Sequence, residues 1–319
     1  MKLKFLKLLV PCLASLVCLT GCGEKEDGEY EPSEEQKAEI AAYYANYDLD
    51  LDGAFLLQEL QKLCFKTHTV YVKYSAYSSY ASFTKDHISS EAAPDTVETT
   101  KKNEFFYTGK LENGGNVGTR EHVWPCANSG SLWVHDGDSS SPHYVDGPNY
   151  VGGGSDLYHI RPSSSSVNSA RGNSKFCDFD DPEFDGIRDQ VISVGDGGPY
   201  RLKIQGYDSA KQFASKAEVD DEYKGDVARI LVYVWIHYAS RSGIDFGSHA
   251  DTVGNLNLGN VMAYPTIDRV KEKLCEWNRL DPPSETEKLR NNTVQRMQGN
   301  RNPFVDHPEL MDQLLLELI

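Results

Sequence analysis

The sequence predicts an α+β domain, mostly helical, that carries a small strand–loop–strand–helix unit. Two observations at helical spacing point to the helices. Leu56, Leu57, Leu60 and Leu63 recur with a helical period, and Val227 to Tyr238 is almost wholly apolar, as expected of a buried central helix. A third points to the unit: Thr119 to Trp124 is a short strand candidate stopped by Pro125, and Asp156 to Arg161 is a second one stopped by Pro162.

The elements follow in order. Lys2 and Lys4 precede an apolar run from Phe5 to Leu19, which reads as an export signal too short to span a membrane. Leu19-Thr20-Gly21-Cys22 resembles a bacterial lipobox, which implies a lipoprotein signal over 1–21 and lipid on the Cys22 thiol. Residues 22–37 are an acidic tether, and 38–319 form the domain. Ala38 to Tyr47 reads as helix, continued by the leucines above. Phe105 to Tyr107 followed by Asn113-Gly114-Gly115 suggests a strand and a turn. Residues 127–155 are a long Gly-, Ser- and Asp-rich loop, of the sort that is usually functional. Pro162 and the serines after it supply the chemistry of a helix start. Residues 178–222 are an acidic insertion. Helices are expected over 266–278 and 284–298, the second with a capped start at Ser284-Glu285-Thr286-Glu287.

The chain has 319 residues, of which 39% are hydrophobic and 11% aromatic, enough for a substantial core. Its formal charge of -16 argues, taken alone, against a partner that is itself a polyanion. The charge is uneven, however: acids crowd Glu24 to Glu35, and Lys271, Lys273, Arg279, Lys288, Arg290, Arg296 and Arg301 concentrate near the end. Cys64, Cys126, Cys177 and Cys275 lie in the domain and permit two disulfides in an exported chain.

The runs around the strand candidates carry the chemistry. Arg120-Glu121-His122 and Asp156 to Arg171 supply carboxylates, imidazoles, a carboxamide and guanidiniums. Hydrolysis of a phosphodiester needs a base for water, positive charge for the phosphate and support for the leaving oxygen. His122 is the natural base, since imidazole titrates near neutrality. Glu121 and Asn168 offer oxygen ligands that suit magnesium better than zinc. Arg120, Arg161 and Arg171 are able to hold phosphate oxygens. Adjacent residues of a regular strand face opposite ways, so Glu121 and His122 serve one site only from two sides of it. Each residue also has a plainer reading. Glu121-His122 is then an ionic strand end, Asp156 a loop anchor, His159 a core hydrogen-bonder, and Arg171 a surface ion pair.

Several segments in order resemble the bacterial endonuclease I family. They are Arg120-Glu-His-Val-Trp-Pro125, Asp156-Leu-Tyr-His-Ile-Arg-Pro-Ser163, Val167-Asn-Ser-Ala-Arg-Gly-Asn173, Lys224-Gly-Asp-Val-Ala-Arg229 and Gln298-Gly-Asn-Arg-Asn-Pro-Phe-Val-Asp-His-Pro308. The likeness runs from about Ala41 to about Leu310. It implies a ββα-metal (His-Me) finger and a secreted or periplasmic nuclease that makes 5′-phosphate products with weak sequence preference; DNA is the expected substrate, and the choice between DNA and RNA stays open. It implies His122 as general base, Glu121 and Asn168 as ligands of one Mg2+ (Mn2+ or Ca2+ in its place), and Arg171 or Arg161 stabilising the added charge. Tyr158 stands where the family commonly has histidine, and Cys126 where a small polar residue is expected.

A second motif competes. Asp48-Leu-Asp50-Leu-Asp52-Gly53 through Glu59 matches an EF-hand calcium loop, although leucines at its second and fourth positions are unusual. Neither a G-x-S-x-G elbow nor an H-E-x-x-H helix is present. The expected function is therefore a metal-dependent endonuclease, lipid-anchored outside the cytoplasm. The alternatives are an extracellular ribonuclease, or an inactive surface lipoprotein that binds nucleic acid or calcium.

Overall fold

A computed structural model describes residues 32–70, 102–113, 118–125, 153–206, 216–239 and 256–318. The signal, Cys22, Cys126, the turn expected at 114–115 and most of the long loop lie outside the described residues.

The first helix, α1 (Glu34–Tyr44), starts inside the stretch expected to be tether. Ser33 and Gln36 form a reciprocal capping box that satisfies otherwise orphaned N–H groups. Helix α2 (Gly53–Thr67) buries Leu56, Leu60 and Leu63 at helical spacing, as the periodicity predicts. Strands β1 (Lys102–Phe105) and β2 (Lys110–Asn113) form an antiparallel hairpin. Its turn is at 106–109, upstream of the Asn113-Gly114-Gly115 signal, with Tyr107 at φ 75° and Gly109 at φ 63°.

The strand–loop–strand–helix unit forms as expected. β3 (Thr119–His122) pairs antiparallel with β4 (Ile160–Ser163), with Glu121 opposite Arg161 and His122 opposite Ile160. The second strand begins later than predicted, because Gly153–Ser155 make a 3-10 turn and Asp156 then caps the bend. Pro162 belongs to β4 and not to the helix start; Ser164 is the N-cap of α3 (Ser165–Arg171). The α3 helix packs against β3, completing a ββα finger.

The described part of the acidic insertion is organised by a third, four-stranded sheet. β5 (Lys175–Phe176), β6 (Val191–Val194), β7 (Leu202–Gln205) and β8 (Lys216–Glu218) lie in the order β5-β8-β7-β6. Lys224 and Lys273, both nearly buried, hold Asp178 and Asp181 at its root.

Helix α4 (Lys224–Tyr238) is the centre of the core: all of its residues except Trp235 are buried. It packs on α2 and on α5 (Ile267–Leu280), while α6 (Glu285–Gln298), α7 (Pro303–Asp306) and α8 (Leu310–Leu315) close the C-terminal side. Gly225 is required where α4 meets the end of α5, since a Cβ there would collide with the Asp281 carbonyl. Ser284 caps α6 by accepting from the Glu287 N–H, as its sequence predicts. Cys177 and Cys275 are buried thiols, so the two-disulfide arrangement is not formed. No helix among the described residues is long and apolar enough to cross a membrane.

Candidate active site

The ββα finger carries the candidate residues, and strand geometry sorts them. Alternation along β3 buries Glu121, at 1% exposure, and leaves Arg120 and His122 half-buried on the other face. The imidazole of His122 is oriented by the Gly154 carbonyl, 2.8 Å from Nε2. A carbonyl only accepts, so Nε2 carries the ring proton and Nδ1 is the basic nitrogen. Burial, then the neighbouring His159, push the His122 pKa down to about 3, so the ring is neutral at working pH. Arg120 adds to that depression, which places its charge near the ring.

Asn168 is half-buried on the side of α3 that faces β3, and its amide is locked. Nδ2 donates to the Arg120 carbonyl at 3.1 Å and to Thr119 Oγ1 at 3.1 Å. The Thr119 hydroxyl has already given its proton to the Ser163 carbonyl, so both partners act as acceptors. The amide nitrogen must therefore face the strand, and Oδ1 points away from it with no hydrogen bond from the described residues. Glu121 is arranged in a similar way. Oε1 accepts from the Tyr107 hydroxyl at 2.8 Å and lies 3.3 Å from Arg171 Nη1, and no described residue hydrogen-bonds Oε2. Burial raises the Glu121 pKa, with Arg171 and Tyr107 working against that. A carboxylate oxygen and an amide oxygen without hydrogen bonds from the described residues are hard donors of the kind a magnesium-type ion prefers.

The two arginines expected to meet phosphate are both buried against protein partners. Arg171 is 1% exposed; it donates to the His122 and Val123 carbonyls and stacks on Phe176. Arg161 pairs with Asp226 at 2.7 Å and lies over Phe106. Their positions on the inner faces of α3 and β4 make them braces for the finger, which neither strand nor helix spacing alone could reveal.

The plainer readings of Asp156 and His159 hold. His159 is fully buried between the Gly153 carbonyl and the Trp124 backbone. Asp156 accepts from the Tyr158 N–H and Gln298 through Oδ1, and from the Tyr233 and Tyr238 hydroxyls through Oδ2. This anchors the Gly153–Ser155 turn, whose carbonyls orient both His159 and His122. Tyr158, the departure from the family pattern, donates to the Asn291 and Asn300 carbonyls and is structural.

Sequence reading missed His68 and His237, which join Asp156 in a buried group with ligand-type atoms within 4.8 Å of one another. His68 Nδ1 and His237 Nε2 are 3.2 Å apart. Residue type marks this group as able to hold a divalent ion, but both Asp156 oxygens already accept two hydrogen bonds each. Their spacing along the chain gave no signal, because helices α2 and α4 bring them together. The EF-hand reading does not survive. Helix α2 begins at the loop's sixth position, Glu59 pairs with Lys62 at 3.0 Å, and these acids do not converge as a ligand group among the described residues.

The comparisons agree with the geometry. The chain is similar to an extracellular ribonuclease of Bacillus subtilis (strain 168), 35% identical over 207 residues, 63% of this chain and 56% of the relative. It is similar also to an extracellular ribonuclease of Bacillus amyloliquefaciens, 35% identical over 210 residues, 64% of this chain and 57% of the relative. The match thus spans little more than half the length of either relative. The model of the Endonuclease I family matches residues 56–309, most of the chain including the whole finger, and this chain belongs to that family.

Proposed function

We propose that this chain is a divalent-metal-dependent endonuclease acting on nucleic acid outside the cytoplasm. The observation that carries this reading is the orientation of His122: Gly154 holds the ring by Nε2 and leaves Nδ1 as the base. Nδ1 takes a proton from the attacking water. Phosphates brought beside the ring add negative charge, which raises its basicity from the value that burial imposes. Arg120, on the same face of β3 as His122, is the guanidinium suited to the scissile phosphate. Arg171 and Arg161 support the reaction by bracing β3 and β4. Glu121 Oε2 and Asn168 Oδ1 would hold Mg2+, which when bound supplies positive charge to the phosphate and the leaving oxygen. Contacts through phosphates carry no sequence code, so cleavage is expected to be weakly selective; 5′-phosphate products are what the family resemblance implies, with the 3′ oxygen as the leaving group.

The test is plasmid and RNA digestion with and without EDTA. Cleavage should require metal and fall by about 10²- to 10⁴-fold in His122→Ala; retained cleavage in that variant removes His122 from the role. A ribonuclease reading is favoured by the names of the two relatives. Initial rates on single-stranded DNA, duplex DNA and RNA decide between them. The same reading places residues 1–21 as a lipoprotein signal, Cys22 as the lipidated residue and 22–37 as a tether to the cell envelope. A Cys22→Ser chain should then leave the membrane fraction, and one that stays would refute the anchor.

A further inference from the structure

The turn at 106–109 is an anomaly that the fold alone does not require. Tyr107 is the one non-glycine residue with positive φ among the described residues, at 75°. For a bulky aromatic this is a strained conformation, which persists only where the surroundings enforce it. Here they do. The Thr108 and Gly109 N–H groups both donate to the Phe105 carbonyl, the Phe106 N–H donates to Pro162 of β4, and the Tyr200 N–H donates to Thr108. The tip of the β1–β2 hairpin is thereby tied to the strand that pairs with β3.

The strain turns the Tyr107 side chain inward, where it is fully buried. Its ring packs on Phe106 and Phe176, with centroids 4.7 and 6.3 Å away. Phenylalanine would fill that space equally well. The hydroxyl is the only polar part, and it goes to Glu121 Oε1 at 2.8 Å. Arg171 approaches the same oxygen at 3.3 Å. A buried guanidinium beside a carboxylate tends to pair with both oxygens at once. A bidentate pair would engage Oε2 and leave no anionic ligand for a cation. With Tyr107 on Oε1, the carboxylate is held in the one-oxygen arrangement instead.

We propose that Tyr107 is a positioning residue for the metal site: its hydroxyl fixes Glu121 so that Oε2 faces the cation and Oε1 faces the protein. The proposal rests on the reading of Glu121 as a ligand. Partners of ligating groups typically govern metal affinity by about 10- to 100-fold.

The experiment is calorimetric titration of the full chain with Mg2+ and with Mn2+, in a His122→Ala background so that no substrate turnover intrudes. Tyr107→Phe should weaken binding by about tenfold or more. In the His122-intact chain, the metal concentration for half-maximal activity should rise by a similar factor, while kcat at saturating metal stays within about threefold. A purely structural role would lower the metal-free Tm and leave the affinity unmoved. Binding within twofold of the parent overturns the proposal. Should Tyr107→Phe lower the Tm, affinity is compared at a temperature where both chains are folded by circular dichroism; in an Arg171→Lys background, which removes the competing fork, the loss caused by Tyr107→Phe should shrink to within twofold, and an undiminished loss overturns the fork-blocking role. Glu121→Gln separates the two readings. If it binds metal like the parent, Glu121 is not a ligand and the site assignment fails, whereas its loss of binding with an unaffected Tyr107→Phe refutes only the role of Tyr107.

Discussion

Single residues of the finger are set by hydrogen bonds whose donors and acceptors admit one arrangement. Thr119 gives its proton to Ser163 and receives the Asn168 amide, which turns Oδ1 outward. Thr119→Val removes the acceptor and leaves the amide freer to rotate. Half-saturation by Mg2+ should rise severalfold with little change in fold, and an unchanged titration would show that Arg120 suffices alone. A different set of residues governs pH. Burial, with Glu287 beside it, pushes Asp226 up to about 8, and burial pushes Asp281 up to about 6. Unfolded aspartate titrates near about 3.9. The folded chain therefore binds more protons between these values, and this contribution to stability is complete below about pH 4 and lost as pH rises through about 6 and 8. Melting temperature should fall as pH rises from about 4 towards 8, the span those values set, and Asp226→Asn should flatten the slope. A Tm that climbs over this range contradicts the assignment.

Elements are held at two junctions. Gly225 lets α4 approach the end of α5, and Gly225→Ala should cost about 1–3 kcal/mol by overpacking, read as a lower denaturation midpoint. Arg229, fully buried, joins α4 to α5 and α6. It grips Glu287 at 2.9 and 2.6 Å, Asn278 at 3.0 Å and the Asp281 carbonyl at 2.7 Å. Arg229→Met strands Glu287 without its partner and should cost about 3–5 kcal/mol by urea denaturation. The helices that meet here were legible from apolar periodicity and from cap residues such as Ser284. The β1–β2 turn was not, because a tyrosine in a positive-φ conformation breaks the residue preferences on which turn prediction depends.

Across the molecule, the formal charge of -16 is compatible with the proposed polyanionic substrate because the acidity is uneven along the chain and partly neutralised by buried lysines. Glu24 to Glu35 are in the N-terminal stretch, and Asp178 and Asp181 are tied to Lys224 and Lys273 at the root of the insertion. The core is built from hydrophobic side chains centred on α4, whereas the proposed ligands Glu121 and Asn168 belong to β3 and α3. Removing metal with EDTA should therefore stop cleavage without unfolding the chain. Mg2+ at tenfold excess over its Kd adds about 1.4 kcal/mol, or roughly 2–4 °C in Tm, and a collapse of the fold in EDTA would contradict this.

The order of strand, strand and helix and the central helix follow from the sequence, because they depend on local periodicity and on runs of neighbouring residues; the same runs name Glu121, His122 and Asn168 as candidates. Tertiary structure alone decided what each side chain faces. Packing gave Arg171 and Arg161 backbone, carboxylate and aromatic partners within the protein, made Asp156 an anchor with His68 and His237 beside it, and brought Tyr107 of the β1–β2 turn onto Glu121. A charged residue written in the sequence carries no mark of whether its partner is solvent, substrate or a backbone carbonyl, and only packing supplies that partner.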